Sequence, residues 1–248
     1  MEVDPLVIDV KGMHYTPLNR MIREAVASGV RDIVLNNVLG QRFIGNGLRG
    51  NVKIIINGVP GGDLGMFMSG PEFEIFGDSE HAPGNTMDNG CLFIHGSAGD
   101  AVAHSMRGGK VFVKGNIGYR GGIHMKEYDG KYPILAVGGT THAFLGEYMA
   151  GGLILVLGIG QEPAVRDRGI GSGIHGGEIV IRGDISEKLL GVGAKKVEFT
   201  KEDLERLTPV IEEFCERFGI DPAPFLDTNY SRIIPASSRP FAGKYTWE

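Results

Sequence analysis

Residues 68–86 read MSGPEFEIFGDSEHAPGNT, residues 87–105 read MDNGCLFIHGSAGDAVAHS, and residues 106–115 read MRGGKVFVKG. One frame of nineteen runs through all three. Gly58, Gly77, Gly96 and Gly115 are nineteen apart, and so are Met68, Met87, Met106 and Met125. A short apolar run stands before each of these glycines: Ile54 to Ile56, Phe73 to Phe76, Leu92 to Ile94 and Val111 to Val113. A fixed period of this length marks a repeat architecture, in which stacked units close a continuous core. Each unit reads as a turn, an apolar anchor, a glycine pair, a short strand and a closing glycine.

Carried outward, the repeats run from about Arg42 to Gly183, with closing glycines Gly58, Gly77, Gly96, Gly115, Gly138, Gly158 and Gly183. The later spacings are twenty-three, twenty and twenty-five, so the excess falls around Lys126 to Lys131 and around Gln161 to Gly171. Four residues before the glycines stand Ile54, Phe73, Leu92, Val111, Ile134, Ile154 and Ile179; two before stand Ile56, Ile75, Ile94, Val113, Ala136, Val156 and Ile181. Both columns are apolar throughout, so they share the inward face of a strand of period two. The anchors Leu48, Met68, Met87, Met106, Met149 and Ile174 fill the same core from another side, a task the flexible methionine side chain suits. The column between reads Ile55, Glu74, Phe93, Phe112, Leu135, Leu155 and Val180 and should face outward. From Phe93 on it is too apolar for a solvated face. Phe93, Phe112, Leu135 and Leu155 are therefore expected to pack under the C-terminal helices or a partner protein. The fold expected is mainly β: a single-stranded, right-handed parallel β-helix (solenoid) of about seven coils, right-handed by the crossover rule.

Before the repeats, residues 6–10 and 32–35 read as strands. Between them Thr16 reads as an N-cap, Pro17 as the first helical position, and Gly29 as the stop. This α/β segment, residues 1–41, is expected to cap the first rung of a β-helix spanning 42–199. In the extension 200–248, Thr200 and Asp203 form a capping-box start. A helical apolar face follows through Phe218, expected to break near Pro209. Beyond Ile220 the prolines and aromatics, Trp247 among them, read as an extended, docked strap.

The forty glycines follow no collagen spacing and serve as turn punctuation. A net charge of −5 disfavours a general nucleic-acid binder. Cys91 and Cys215 stand far apart with no C-x-x-C, the pattern of reduced cytoplasmic thiols rather than a thiolate metal site. Without a signal-like N-terminus or a run of about 18 apolar residues, a cytoplasmic protein that does not enter a membrane is expected.

Chemistry is faint. Gly45-Asn-Gly47-Leu-Arg-Gly50 matches G-x-G-x-x-G, but a strand follows where a dinucleotide site needs a helix. His104 and His124 sit beside successive anchors and are neighbours on adjacent rungs if the stack holds, yet no metal-ligand spacing is present. Asp63, Asp78, Asp88 and Asp100 recur at turns. Paired carboxylates on neighbouring rungs would suit glycoside chemistry, but turn bonding explains them more simply. No catalytic, cofactor-binding or metal residue is assigned.

The ordered array of Gly96-Ser-Ala-Gly-Asp100, Met106-Arg-Gly-Gly109, Gly146-Glu-Tyr-Met-Ala-Gly-Gly152 and Val156-Leu-Gly158 resembles the GXGXG domain of glutamate synthase, the C-terminal β-helix domain of its large subunit. The lead-in from Leu18 to Gly29, followed by Gly40 to Gly45, is similar to that of the same domain, and the resemblance covers roughly residues 6–183. A sister family within formylmethanofuran dehydrogenase shares the repeat. The resemblance implies a structural scaffold subunit with no active site or cofactor of its own. It would hold a glutamine amidotransferase chain and an FMN-dependent synthase chain together, with flavin and iron–sulfur centres in those partners, for glutamate biosynthesis. The alternatives are a scaffold of a formylmethanofuran dehydrogenase-like redox complex and a free-standing β-helix enzyme. Homo-oligomerisation is left open.

Overall fold

The computed structural model describes residues 4–161, 163–165 and 167–237. The opening α/β segment folds as β1 (Leu6–Asp9), α1 (Tyr15–Ala27) and β2 (Asp32–Leu39). The repeats supply β3 (Lys53–Val59), β4 (Ser69–Phe76), β5 (Asn89–Ile94), β6 (Lys110–Val113), β7 (Ile134–Val137), β8 (Ala150–Val156) and β9 (Gly176–Arg182). After them come β10 (Ala194–Val197), α2 (Lys201–Phe218), α3 (Ala223–Leu226) and β11 (Tyr230–Pro235). The molecule is a mainly-β, right-handed parallel β-solenoid of about six turns with an α/β N-terminal cap and C-terminal helices. Strands β1 to β9 pair in parallel in chain order; β11 then runs antiparallel on β9, and β10 antiparallel on β11. The N-terminal cap therefore also lengthens the ladder by two strands.

The registers produce the expected ladders in most rungs. Ile54, Phe73, Leu92, Val111, Ile154 and Ile179 lie in one inward column, and Ile56, Ile75, Ile94, Val113, Val156 and Ile181 in the next. All are buried in one core with Met68, Met87, Met106, Met125 and Met149.

At β7 the expected alignment is wrong by one residue. Val111 pairs with Leu135 and Val113 with Val137, so Leu135 and Val137 point inward. Ile134 and Ala136 join the outer face. The closing glycine of this rung is Gly139, whose N–H donates to Gly115 O, and not Gly138. Gly139 restores the period, standing nineteen before Gly158. Two adjacent glycines after an insertion left the choice open, and a slip of one reverses every side chain of a strand. The insertion itself is an exposed hairpin, with Tyr128 bridging Lys131 across Asp129-Gly130, both at positive φ.

Each turn carries three residues at positive φ, two apart. They are Phe43, Gly45, Gly47 in the first turn, Arg120, Gly122, His124 in the fifth, and Gly169, Gly171, Gly173 in the last. The first and third members of each set donate N–H to the following rung, and the middle one, from the second turn on, to the preceding rung. At the middle position the Cα abuts the core. A Cβ on Gly122 would stand 2.4 Å from Ile154 Cδ1, at a φ of +68°. Ala103 is the one side chain at this position, at a φ of +58° and fully buried. Gly122→Ala is expected to cost about 2–3 kcal/mol from left-handed strain and overpacking together. Ala103→Gly should stay within about 1 kcal/mol of the wild type, lost burial offsetting relieved strain. Urea midpoints of the two variants check the contrast.

Three local expectations are corrected. The N-cap of α1 is His14, whose Nδ1 accepts from Thr16 N, and the helix begins at Tyr15 rather than at Pro17. Helix α2 starts on the capping box of Thr200 and Asp203 and runs unbroken through Pro209. Pro209 is exposed, so water can reach the carbonyl it leaves unbonded, while the buried opposite face holds the helix on the sheet. In the described part of the tail, to residue 237, the short helix α3 interrupts the expected extended strap before β11 docks on β9. Pro240, Phe241, Tyr245 and Trp247 of the expected strap lie outside the described residues.

Candidate functional site

The feature with most chemistry in it is the outer face of the sheet and what lies on it. Two outward columns run along the stack. One reads Asp32, Lys53, Glu72, Cys91, Lys110, Ile134, Leu153, Glu178; the other reads Val7, Val34, Ile55, Glu74, Phe93, Phe112, Ala136, Leu155, Val180. From β5 to β9 these columns are covered by α2. Phe93, Phe112, Leu153, Leu155 and Val180 form a second core with Leu207, Ile211, Phe214 and Phe218. Leu135, expected on this face, is in the inner core instead, and Ala136 takes its place. Phe112 meets Phe214 with ring centroids 5.6 Å apart, and the Arg217 guanidinium lies 4.1 Å from the Phe93 ring centroid.

Ion pairs fix the helix along the charged column. Arg206 grips Glu178 through both terminal nitrogens, and Arg232 Nε donates to Glu178 Oε2 at 2.8 Å. Lys110 pairs with Glu213, and Arg217 meets Glu72 in a bidentate contact at 3.1 and 3.2 Å. Glu178 is buried, and a carboxylate there is tolerated because two guanidinium groups answer it. Asp203 stands between the same two arginines. Burial pushes its pKa up, but the Thr200 cap and the Arg206 contact outweigh that and hold it below the ordinary carboxylate value. Helix α2 thus crosses the strands from β9 toward β4. Beyond Phe218, whose ring meets His95 edge-on, the face is bare.

The other residues singled out by sequence are structural in their surroundings. His104 and His124 do come together, ring centroids 6.0 Å apart, and His124 stacks on Tyr148. Burial, helped by the neighbouring His124, lowers the pKa of His104, whose Nδ1 lies 3.1 Å from Asn85 Oδ1. Asp78 Oδ1 accepts from Ser97 N, Ser97 Oγ from Asn116 N, and Asn116 Oδ1 from Thr140 N, one rung to the next. Asp100 Oδ1 accepts from Tyr119 N, and Asp88 bonds Ser69 and Lys131. These carboxylates satisfy backbone and side-chain donors along the stack. Gly45, Gly47 and Gly50 all lie at positive φ in a turn that leads into β3. Burial raises the pKa of both Cys91 and Cys215, the latter to about 11, so neither thiol is activated. Among the described residues no group of three or more His, Cys, Asp or Glu is placed to hold a metal ion. No described helix is long and apolar enough to cross a membrane.

Sequence reasoning missed the Glu178, Asp203, Arg206 and Arg232 network. Its members have no periodic relation, and only the oddity of an acid at the foot of the apolar run Ile179-Val-Ile181 hinted at a buried partner.

The chain is 52% identical to the uncharacterized protein MJ1350 of Methanocaldococcus jannaschii, over 98% of this chain and 97% of that protein. It is 23% identical over 218 residues to a ferredoxin-dependent glutamate synthase of Pyropia yezoensis. That match takes in 81% of this chain but only 13% of the length of the glutamate synthase. The GXGXG motif model matches residues 23–238, beyond the repeats and through α2 and β11. A match over most of the length shows that the chain belongs to the GXGXG motif family.

Proposed function

We propose that the chain is a structural subunit of a glutamate synthase-like complex. It contributes surface and spacing, while partner chains contribute chemistry. The observation that carries this reading is the match of four-fifths of this chain to a short stretch of one glutamate synthase. A stretch like this chain is there one part of a long enzyme. The continuous buried core, the turn carboxylates committed to holding rungs together, and the unactivated thiols all support a scaffold. In this reading a glutamine amidotransferase chain releases ammonia, and an FMN-dependent chain with iron–sulfur centres consumes it on 2-oxoglutarate. The β-solenoid holds the two in a fixed relation, in the cytoplasm.

The test is a coupled assay with the separately purified partner chains. Glutamine-dependent glutamate formation is expected to require this chain, while glutamine hydrolysis and flavin reduction persist without it. Full coupling in its absence would refute the proposal.

A further inference from the structure

His104 lies in the fourth turn, between Ala103 and Ser105, and His124 closes the fifth. Ala103 is buried, His104 half-buried and His124 exposed. A chain of polar contacts stands behind His104. Arg42 Nη2 is 3.8 Å from Asp63 Oδ2, and Asp63 Oδ1 accepts from Asn85 Nδ2 at 2.9 Å. That bond turns the amide oxygen of Asn85 the other way, where it accepts from Thr86 Oγ1 and lies 3.1 Å from His104 Nδ1. An amide oxygen only accepts, so Nδ1 carries the proton and the lone pair of the neutral ring is on Nε2. Among the described residues Nε2 has no hydrogen-bond partner, and neither ring nitrogen of His124 has one. The two rings stand 6.0 Å apart at 82°, and His124 is steadied by stacking on Tyr148 at 5.4 Å.

We propose that His104, through Nε2, and His124 bind a divalent transition-metal ion of the borderline class, zinc or copper(II), with water in the remaining positions. A metal-binding imidazole characteristically donates its other N–H to an acceptor that fixes tautomer and ring orientation. Asn85 is that acceptor, and Asp63 fixes Asn85 in turn. Two imidazoles on one ion, each at about 2.0–2.1 Å, put their ring centroids about 5–6 Å apart. The observed 6.0 Å falls at the upper end of that range. Imidazole nitrogen suits zinc and copper(II), and copper(II) should bind more tightly. The charges nearby pull in opposite directions: Asp63 favours a cation and Arg107 opposes it. Burial and the adjacent His124 hold the pKa of His104 down, so its lone pair is not lost to a proton at neutral pH. With two protein ligands the site is open and accessible, unlike the closed four-ligand site of a structural zinc. The inference stands apart from the glutamate synthase reading, because it needs no partner chain.

The probe is zinc(II), titrated calorimetrically into the metal-free full chain. One ion per chain is expected, with a dissociation constant on the order of 10 µM, tighter for copper(II). His104→Gln and His124→Gln should each weaken binding at least tenfold. His124 is exposed, so its variant tests the site without threatening the fold. Asn85→Leu, checked for folding by circular dichroism, should weaken binding about tenfold by freeing the tautomer. His81→Gln, on a turn with no second imidazole against it, should change nothing. Lowering the pH from about 7.5 to about 5.5 should release the ion as protons take the ring nitrogens. The electron paramagnetic resonance spectrum of the copper(II) adduct should show splitting from two imidazole nitrogens, and from one in either histidine variant. No saturable zinc uptake up to about 1 mM would overturn the proposal. So would uptake unchanged in either histidine variant, which would place the ion elsewhere or on a single imidazole. Unchanged affinity in a folded Asn85→Leu would also overturn it, since the fixed tautomer is what singles out this pair.

Discussion

Phe214→Ala is expected to destabilise the protein by about 3–5 kcal/mol, the range for a fully buried phenylalanine. Phe214 is the centre of the seat of α2. Its ring touches Phe112 and Phe218, and it closes over Gly138, where a Cβ would come within 3.0 Å of Cζ. The loss should be local at first. In a stack of repeats each unit leans mainly on its neighbours, so the helix can lift from β5 to β9 before the inner ladders open. Lifting it exposes Phe93, Phe112, Leu155 and Val180 together, a patch of the kind that associates. Denaturant unfolding and binding of a hydrophobic dye check this. The variant should show an early transition with increased dye binding. A change under about 1 kcal/mol would mean that the salt bridges, rather than the aromatic cluster, hold the helix.

The second large effect tests the register at β7. Leu135→Ala is expected to cost roughly 2–5 kcal/mol, because Leu135 is fully buried between Val111 and Ile154 in the inner column. Ile134→Ala should cost about 1 kcal/mol, since Ile134 is only half-buried at the edge of the outer cluster. The alignment on Gly138 puts Ile134 in the inner column, where Ile134→Ala would itself cost roughly 2–5 kcal/mol. Urea midpoints of the two variants therefore decide between the registers, with no structure needed.

The solenoid was legible because its period is strict where it is simplest. From Gly58 to Gly115 every rung repeats at nineteen, and alternation within each strand follows from the pleat. Legibility failed where the period was interrupted. An insertion ahead of β7 and the pair Gly138-Gly139 gave two alignments, each with apolar residues in both columns; the nineteen-residue step from Gly139 to Gly158 and the hydrogen bond to Gly115 separate them. It failed again where local preference yields to packing. Pro209 reads as a break, but the burial of Leu207, Ile211 and Phe214 on the far side carries the helix through. Strand β11 lies in a proline-rich tail, and its pairing with β9 is a long-range contact without a local signal. The outer face fared better. A column too apolar for water announced a cover, and the helix with the matching stripe supplies it. The charges that align the helix were invisible, since Glu178 and Arg232 lie 54 residues apart.

The scaffold role requires that this chain act by holding other chains. Native mass spectrometry of the tagged chain, purified from its own cells under low salt, measures that directly. The expected result is a stoichiometric hetero-complex containing a flavin-bearing chain and an amidotransferase chain. A chain that emerges alone, as monomer or homo-oligomer, with both those chains present in the lysate would contradict it.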